Sequence, residues 1–298
     1  GTISVTADNG CGSSTARTLS VSMLTVPTAP VATAGNAITG ASFTANWNSV
    51  AGATGYFVDV YANTAIIDDF TDGNFTANPV WVGNTSDFSI LTNSTLPSGN
   101  ASTDGSFLGT NASSGKVTLM TASTENTEWK FSLGSPDFDP SSSNYFGIIL
   151  MSSTSFSGDI SASFNGYYLK IGVDGSSDYI ELWKSNAAAK TKIGNFTSAG
   201  NFGSGALKNG LNMRITRDNS GVFQLFYSTG FTYPSDPTTN GGTLTDNTFS
   251  TSSYFGVYQY ITSTSTSRRV YFDNMQLGSM SFVTGYENIY TTGTSLSV

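Results

Sequence analysis

The sequence predicts an all-β protein built from sandwich domains. Three observations carry that reading. Short stretches of alternating apolar and polar residues recur along the 298-residue chain. Clusters of Asp, Asn, Gly and Ser, the residues of tight turns, separate them. The apolar content is only 38% but includes 20 Phe, 14 Tyr and 4 Trp, and large aromatics of this kind suit a pleated, half-buried surface. No helical period competes.

Residues 3–7 (ISVTA) and 18–24 (TLSVSML) alternate on either side of the turn-rich segment 8–14, which reads as one hairpin. The stretch 25–30 (TVPTAP) follows, and its two prolines stop a ladder and stiffen a connection, so a domain boundary is expected there. Residues 42–47 (SFTANW) and 56–61 (YFVDVY) then read as two strands joined by a Gly-containing loop, with Phe43, Ala45 and Trp47 on one face.

Pro30 ahead of the first of these strands, Trp47 on the second, and Ala51-Gly52-Ala53-Thr54-Gly55-Tyr56 leading into the third resemble the fibronectin type III family. Such a domain needs four more strands. The next stretch that resembles it, 282–298 (FVTGYENIYTTGTSLSV), arrives only after the intervening block. The economical reading is a second domain inserted into a loop, which is sterically easy because loop ends lie close together on the surface. The expected organisation is therefore a closing hairpin of a preceding Ig-like or PKD-like domain over 1–26 and the first part of a fibronectin III-like sandwich over 27–66. An inserted sandwich over 67–280 follows, then a truncated continuation of the fibronectin III-like module over 281–298. The sequence is expected to be a window on a longer polypeptide.

Within the insert, strand candidates fall at 116–120, 127–133, 145–151, 167–173, 179–183, 211–217, 222–227, 254–261 and 269–277. Asp174-Gly175-Ser176-Ser177-Asp178 and Arg217-Asp218-Asn219-Ser220-Gly221 have the content of hairpin loops. Many short strands at regular spacing suggest a sandwich. The carrying motifs are Asp68-Asp69-Phe70 through Trp81, Ser142-Ser143-Asn144-Tyr145, Asn165-Gly166-Tyr167-Tyr168-Leu169, Ile180-Glu181-Leu182, Thr216-Arg217-Asp218-Asn219, Ser252-Ser253-Tyr254-Phe255-Gly256 and Tyr271-Phe272-Asp273-Asn274. Together they resemble the concanavalin A-like or laminin G-like jelly rolls of large secreted Bacteroidota proteins. That resemblance implies a glycan- or protein-binding sandwich on a bacterial cell surface, in a type IX secretion substrate of the gliding or attachment adhesin kind. The implied partners are a glycan or cell-surface ligand and neighbouring sandwich domains of the same polypeptide. The alternatives are an accessory carbohydrate-binding module of a large secreted hydrolase and a purely structural spacer.

Composition removes several other functions. Histidine is absent, which excludes Ser-His and Cys-His nucleophile systems and the usual zinc sites. The net charge is −8, with only 12 Lys and Arg to set against 20 acidic residues, so no basic patch for a phosphate backbone is expected. No apolar run approaches the roughly 20 residues that cross a bilayer. Cys11 is the one cysteine; it reads equally as a small buried residue or as half of a bridge to a segment outside this sequence. Glu125, Glu128 and Glu181 are the glutamates of the insert, and nothing in their spacing makes two of them flank one glycosidic bond. The chain is read as non-catalytic. Sequons at Asn74, Asn84, Asn93, Asn100, Asn111 and Asn195 are expected by chance in so Ser-, Thr- and Asn-rich a sequence.

Two candidate sites remain. Asp68, Asp69, Asp72 and Asn74 surround Gly73 and can be joined by Asp273 if the first and last strands of the insert are neighbours, an oxygen-rich set suited to Ca²⁺. The competing reading is a set of solvated turn residues. Tyr179, Glu181 and Trp183 alternate with Ile180 and Leu182, so if the aliphatic pair is buried the aromatics form a platform that, with Lys170, stacks and hydrogen-bonds a sugar. Tyr258 and Tyr260 belong to the same set. The competing reading is that these rings fill a sandwich core, and Trp81 and Phe88 are expected at a core edge.

Overall fold

A computed structural model describes residues 2–20, 27–39, 42–63, 65–92, 105–111, 115–172, 179–196, 204–231, 233, 235–262, 268–283 and 285–298. The chain divides into two compact units, one made of Gly1–Ala62 with Ser281–Val298 and the other of Asn63–Met280.

In the first unit, β1 (Thr2–Val5) pairs with β2 (Arg17–Ser20). The turn between them is held by Asp8, which accepts from Gly10 N at 2.9 Å and Ser13 Oγ at 2.8 Å. The end of the expected second strand, 21–24, lies outside the described residues. Cys11 is exposed, which corrects the buried reading of its thiol, since it sits in the turn of a short hairpin. β3 (Ala32–Asn36) and β4 (Thr44–Trp47) pair, β5 is Tyr56–Val58, and β6 is Tyr61–Asn63. The Trp47 indole is half-buried and meets Tyr56 edge-on at 5.6 Å.

The second unit opens with β7 (Ile66–Asp68), β8 (Trp81–Gly83), β9 (Phe88–Thr92), β10 (Ser106–Thr110), β11 (Lys116–Ala122), β12 (Glu128–Gly134) and β13 (Asn144–Ser152). It continues with β14 (Phe164–Ile171), β15 (Ile180–Ala187), β16 (Ala189–Phe196), the short helix α1 (Ser204–Asn209), β17 (Leu211–Arg217), β18 (Val222–Thr229), β19 (Thr239–Thr245), β20 (Tyr254–Ile261) and β21 (Tyr271–Leu277). The chain then re-enters the first unit through β22 (Met280–Phe282), which pairs with β6, β23 (Ile289–Thr291), which pairs with β5, and β24 (Ser295–Ser297), which pairs with β4.

The strands of the second unit form two antiparallel sheets. One runs β19-β18-β17-β12-β21-β10-β9 with β7 also on β21; the other runs β16-β15-β14-β13-β20-β11-β8. The last two strands therefore sit inside the sheets rather than at their edges. β21 joins β12 to β10, and β20 joins β13 to β11. Period-two alternation sends Trp129, Phe131, Met213, Ile215, Phe223 and Phe272 from the first sheet towards Phe146, Ile148, Leu169, Ile180, Leu182 and Val257 from the second, as one continuous core. Trp81 and Phe88, on β8 and β9, belong to this core and are 2% and 4% exposed, so they are interior residues rather than edge ones. Polar ties cross the unit: Thr110 Oγ1 donates to Gln259 Oε1 at 2.8 Å, and Asp246 accepts from Tyr167 at 2.7 Å and from Lys184 at 2.6 Å.

The strand stretches expected from the sequence are present, most of them with shifted ends, and the expected strand 56–61 is broken into Tyr56–Val58 and Tyr61–Asn63. The 167–173 candidate begins earlier, at Phe164, and 179–183 is the start of a longer strand, Ile180–Ala187. The hairpin at 217–221 forms as expected, with Val222 N and Ser220 N both donating to Asp218 Oδ1 at 2.9 Å. The loop 174–178 lies outside the described residues, as do Asn93 and Asn100.

Candidate functional site: an aromatic and lysine cleft on the outer sheet face

The expected alternation on β15 holds. Ile180 and Leu182 point into the core between the sheets, while Trp183 faces the solvent side of the seven-stranded sheet. Register fixes what lies beside it. Tyr168 opposes Trp183 and Lys170 opposes Glu181 across β14–β15, and Tyr145 opposes Tyr260 across β13–β20. Opposed residues share a face, so these side chains make one layer outside the sandwich. Phe156 and Ile160, from the loop after β13, pack against its edge.

A cleft of about 320 Å³ opens in this layer, lined by Tyr145, Tyr168, Lys170, Trp183, Lys190, Tyr260 and the loop residues Asp159, Ile160 and Ser161. Tyr145 and Tyr260 stack at 4.5 Å and 5°, and Tyr168 stacks on Trp183 at 6.1 Å and 21°. The lysines alternate with the rings. Lys116 Nζ lies 4.2 Å from the centre of Tyr260, and Lys170 Nζ lies 4.4 Å from that of Tyr145 and 5.6 Å from that of Trp183. An ammonium over a ring face is attracted by the ring quadrupole, which helps to hold the row, and Lys116 also pairs with Asp159 at 3.2 Å.

Glu181 serves this row from below. It is 3% exposed, accepts the Trp183 indole N–H at 2.8 Å and pairs with Lys192. It orients the indole and is not positioned as the direct sugar contact expected of it. Tyr258 also differs from expectation: it is fully buried and its hydroxyl donates to Leu169 O at 2.8 Å. It is the floor of the layer and has no ring face left for stacking. Tyr179 is half-buried just before β15 and is not among the residues lining the cleft. Tyr145 and Lys190 were not singled out from sequence; the signal for Tyr145 was its place on the outer parity of a candidate strand. Burial pushes the Tyr145 and Tyr168 hydroxyls well above their ordinary value, so the rings stay neutral and the lysines and Asp159 set the charge of the cleft.

The acidic candidates are brought partly together. β7 does pair with β21, with Asp68 opposite Met275, but each acidic group has local work. Asp68 accepts from Trp81 Nε1 at 2.7 Å and Phe70 N at 3.0 Å; Asp69 accepts from Thr71 N at 3.1 Å; Asp72 takes Asn74 N at 3.0 Å. Asp273 is buried and accepts from Asn274 N at 2.7 Å. Among the described residues no group of three or more acidic, His or Cys side chains converges to hold a metal ion. The oxygens of Asp68, Asp69 and Asp72 take part in backbone turns and, for Asp68, in a bond to an indole.

Burial pushes the Asp68 carboxyl up to about 6, against the hydrogen bonds from Trp81 and Phe70, and the charges of Asp72 and Asp69 add to the rise. The unfolded chain releases this proton near the ordinary value of 3.8. Between the two values the folded state binds more protons, so stability falls as pH rises through that window. Asp68→Asn is expected to flatten that part of the profile, read as urea midpoints from about pH 4 to 7. An unaltered slope would refute the assignment.

The glutamates are dispersed. Glu125 Oε1 caps the turn before β12, accepting from Asn126 N and Glu128 N at 3.0 Å. Glu128 pairs with Arg214 at 2.9 Å on the eight-stranded sheet, and Glu181 lies on the other sheet. A larger hollow of about 530 Å³ in the first unit is lined by Pro27, Pro30, Tyr56, Phe57 and small residues, with no ionisable side chain except the Tyr56 phenol.

No family model and no curated protein matches the chain. Solved structures similar to it include the receptor-binding domain of botulinum neurotoxin type G, at 12% identity and TM-score 0.42, covering 67% of this chain and 43% of that one. A GH43 glycoside hydrolase engineered for endo-xylanase and exo-arabinofuranosidase activity matches at 14% and 0.45, covering 74% and 41%. A legume lectin-like domain from Entamoeba histolytica matches at 10% and 0.40, covering 67% and 91%. The chain thus spans less than half the length of the first two. Likenesses at these values carry no argument about ligand or activity.

Proposed function

We propose that the chain is a non-catalytic, extracellular binding segment of a larger surface protein, and that its larger unit holds a glycan in the cleft on the outer face of the seven-stranded sheet. One observation carries this reading: aromatic rings on the solvent side of a sheet are left half-open around a cleft, with polar groups converging on it, while the sandwich core is complete without them. Its volume of about 320 Å³ falls at the small end of the roughly 300–1,000 Å³ of small-molecule sites. The Trp183 indole, locked by Glu181, offers an apolar plane whose orientation costs no entropy when a pyranose ring settles beside it. In this reading the first unit, with its fibronectin-like strand signals, is the mount and the larger unit is the binding head of an adhesin.

A glycan array probed with the whole chain and with Trp183→Ala tests it. Binding is expected to fall by about tenfold or more in the variant, as for truncation of an aromatic anchor. Undiminished binding would sink the cleft as the site.

A further inference from the structure

One side chain lining the cleft can only accept hydrogen bonds. Asp159 is the carboxylate among the lining residues, whereas Glu181 lies beneath them and is spent on Trp183 and Lys192. The lining ammoniums only donate, and the lining hydroxyls do either. A sugar arrives with hydroxyls to donate, and a bond from one of these to a carboxylate is roughly twice as strong as a bond to a neutral acceptor.

The chain holds this carboxylate in place. The loop 153–163 is tied to the sheet on both sides of Asp159: Thr118 Oγ1 on β11 donates to Gly158 O at 3.0 Å, and Lys190 Nζ on β16 donates to Ala162 O at 2.7 Å. Ile160, the next residue, packs into the outer aromatic layer. Between these ties Asp159 Oδ1 accepts from Ser161 N at 3.0 Å, and Oδ2 accepts from Lys116 Nζ at 3.2 Å. Each oxygen therefore has one partner among the described residues, while a carboxylate offers about four lone-pair sites, two on each oxygen. The side chain is 31% exposed, so a ligand can reach it. Burial lowers the Lys190 ammonium to about 8 and the charge of Asp159 partly offsets that, which puts the carboxylate within electrostatic reach of the β16 side of the cleft as well.

We infer that Asp159 is the residue that reads the ligand: its two oxygens accept from two neighbouring hydroxyls of a pyranose whose apolar face lies on the rings. The inference rests on the glycan reading of this cleft and adds a chemical class to it, a sugar with an unsubstituted vicinal diol. A site built around a hydrogen bond rejects the analogue that lacks the donor, because the protein group is then left facing the ligand unpaired.

Titration calorimetry on the whole chain tests the inference, with the methyl glycosides of glucose, galactose and mannose and the monodeoxy derivatives of each. For the tightest-binding parent, the deoxy losses are expected to fall on two adjacent ring positions, at about tenfold each. Asp159→Asn keeps the size of the side chain and an acceptor for Ser161 N. It is expected to weaken the parent by about tenfold or more and to erase the two deoxy losses, since contacts that share a partner are not additive. A merely structural role for Asp159 would weaken every sugar alike and leave those losses intact. Deoxy losses that are absent, that fall on separated positions or that persist in Asp159→Asn overturn the assignment and leave the glycan site standing, as does undiminished binding to the variant. If none of the parent glycosides binds the native chain, the glycan reading falls as well.

Discussion

Alanine at Gly147 is expected to destabilise the larger unit by about 1–3 kcal/mol or more and to lift the floor of the cleft. A Cβ there would sit 2.0 Å from Leu169 O and 3.0 Å from the Tyr258 hydroxyl. The first of these is backbone of the adjacent strand and cannot swing aside like the tip of a side chain, so β13 and β14 must part. Parting them breaks the bond by which Tyr258 is laid flat across the sheet. Gly115→Ala is the control, because its Cβ would meet only Ile261 O at 3.6 Å. Urea midpoints decide the matter: a large drop for Gly147→Ala beside a near-neutral Gly115→Ala is the expected pair, and equal midpoints would show that the strands have slack.

Trp129→Ala is expected to cost more, about 3–5 kcal/mol. Whole domains are stable by roughly 5–15 kcal/mol, so this one truncation would remove a large share. Trp129 is fully buried on β12, and its ring stacks on Phe223 of β18 at 6.4 Å and 14°. Its loss would open a cavity between sheets whose other members are themselves locked by packing. The indole N–H has no hydrogen-bond partner among the described residues, so Trp129→Phe keeps much of the ring and discards an unsatisfied donor. That variant is expected to lose less than about 1.5 kcal/mol. Chemical denaturation of both proteins separates packing from polarity; a phenylalanine variant as unstable as the alanine one would contradict the assignment.

Most of the longer strands buried on one or both faces were legible in the sequence, because burial imposes the alternation, whereas the short Phe88–Thr92 and the buried Ser106–Thr110 were missed. Tyr254–Ile261 and Leu211–Arg217 were read to the residue. Ala189–Phe196 and Thr239–Thr245 were missed for the converse reason. They are the outer strands of their sheets, mostly exposed or half-exposed, and residues such as Lys190, Thr191, Lys192, Gly241 and Gly242 carry no apolar period. The helix Ser204–Asn209 is too short for a helical repeat to register. At the candidate site, parity alone placed Trp183 and Lys170 on the right face. It could not say that Tyr258, on that same face, would be roofed by Tyr145 and Tyr168, with 6.3 Å and 6.2 Å between ring centres. Nor could it bring Lys190 to the cleft, since that depends on which strand follows β15 across the sheet. The acidic cluster was ambiguous from sequence because Asp is both a calcium ligand and a turn former, and Asp69 and Asp72 each accept a turn hydrogen bond.

The interior positions of β20 and β21 bear on how the chain becomes a protein as it emerges end first. Until those strands arrive, the seven-stranded sheet exists only as two separate pieces, β8–β11 and the β13–β16 group, and the eight-stranded sheet as three, β7, β9–β10 and the β12–β17–β18–β19 group. Closure waits on pairings between residues distant in sequence, such as Leu108 with Phe272 and Leu119 with Val257, and such pairings are slow because a long loop must be ordered first. The sheets of the larger unit therefore close only when its final pair of strands is delivered, and the outer cleft, whose floor Tyr258 and wall Tyr260 ride on β20, comes into being only then.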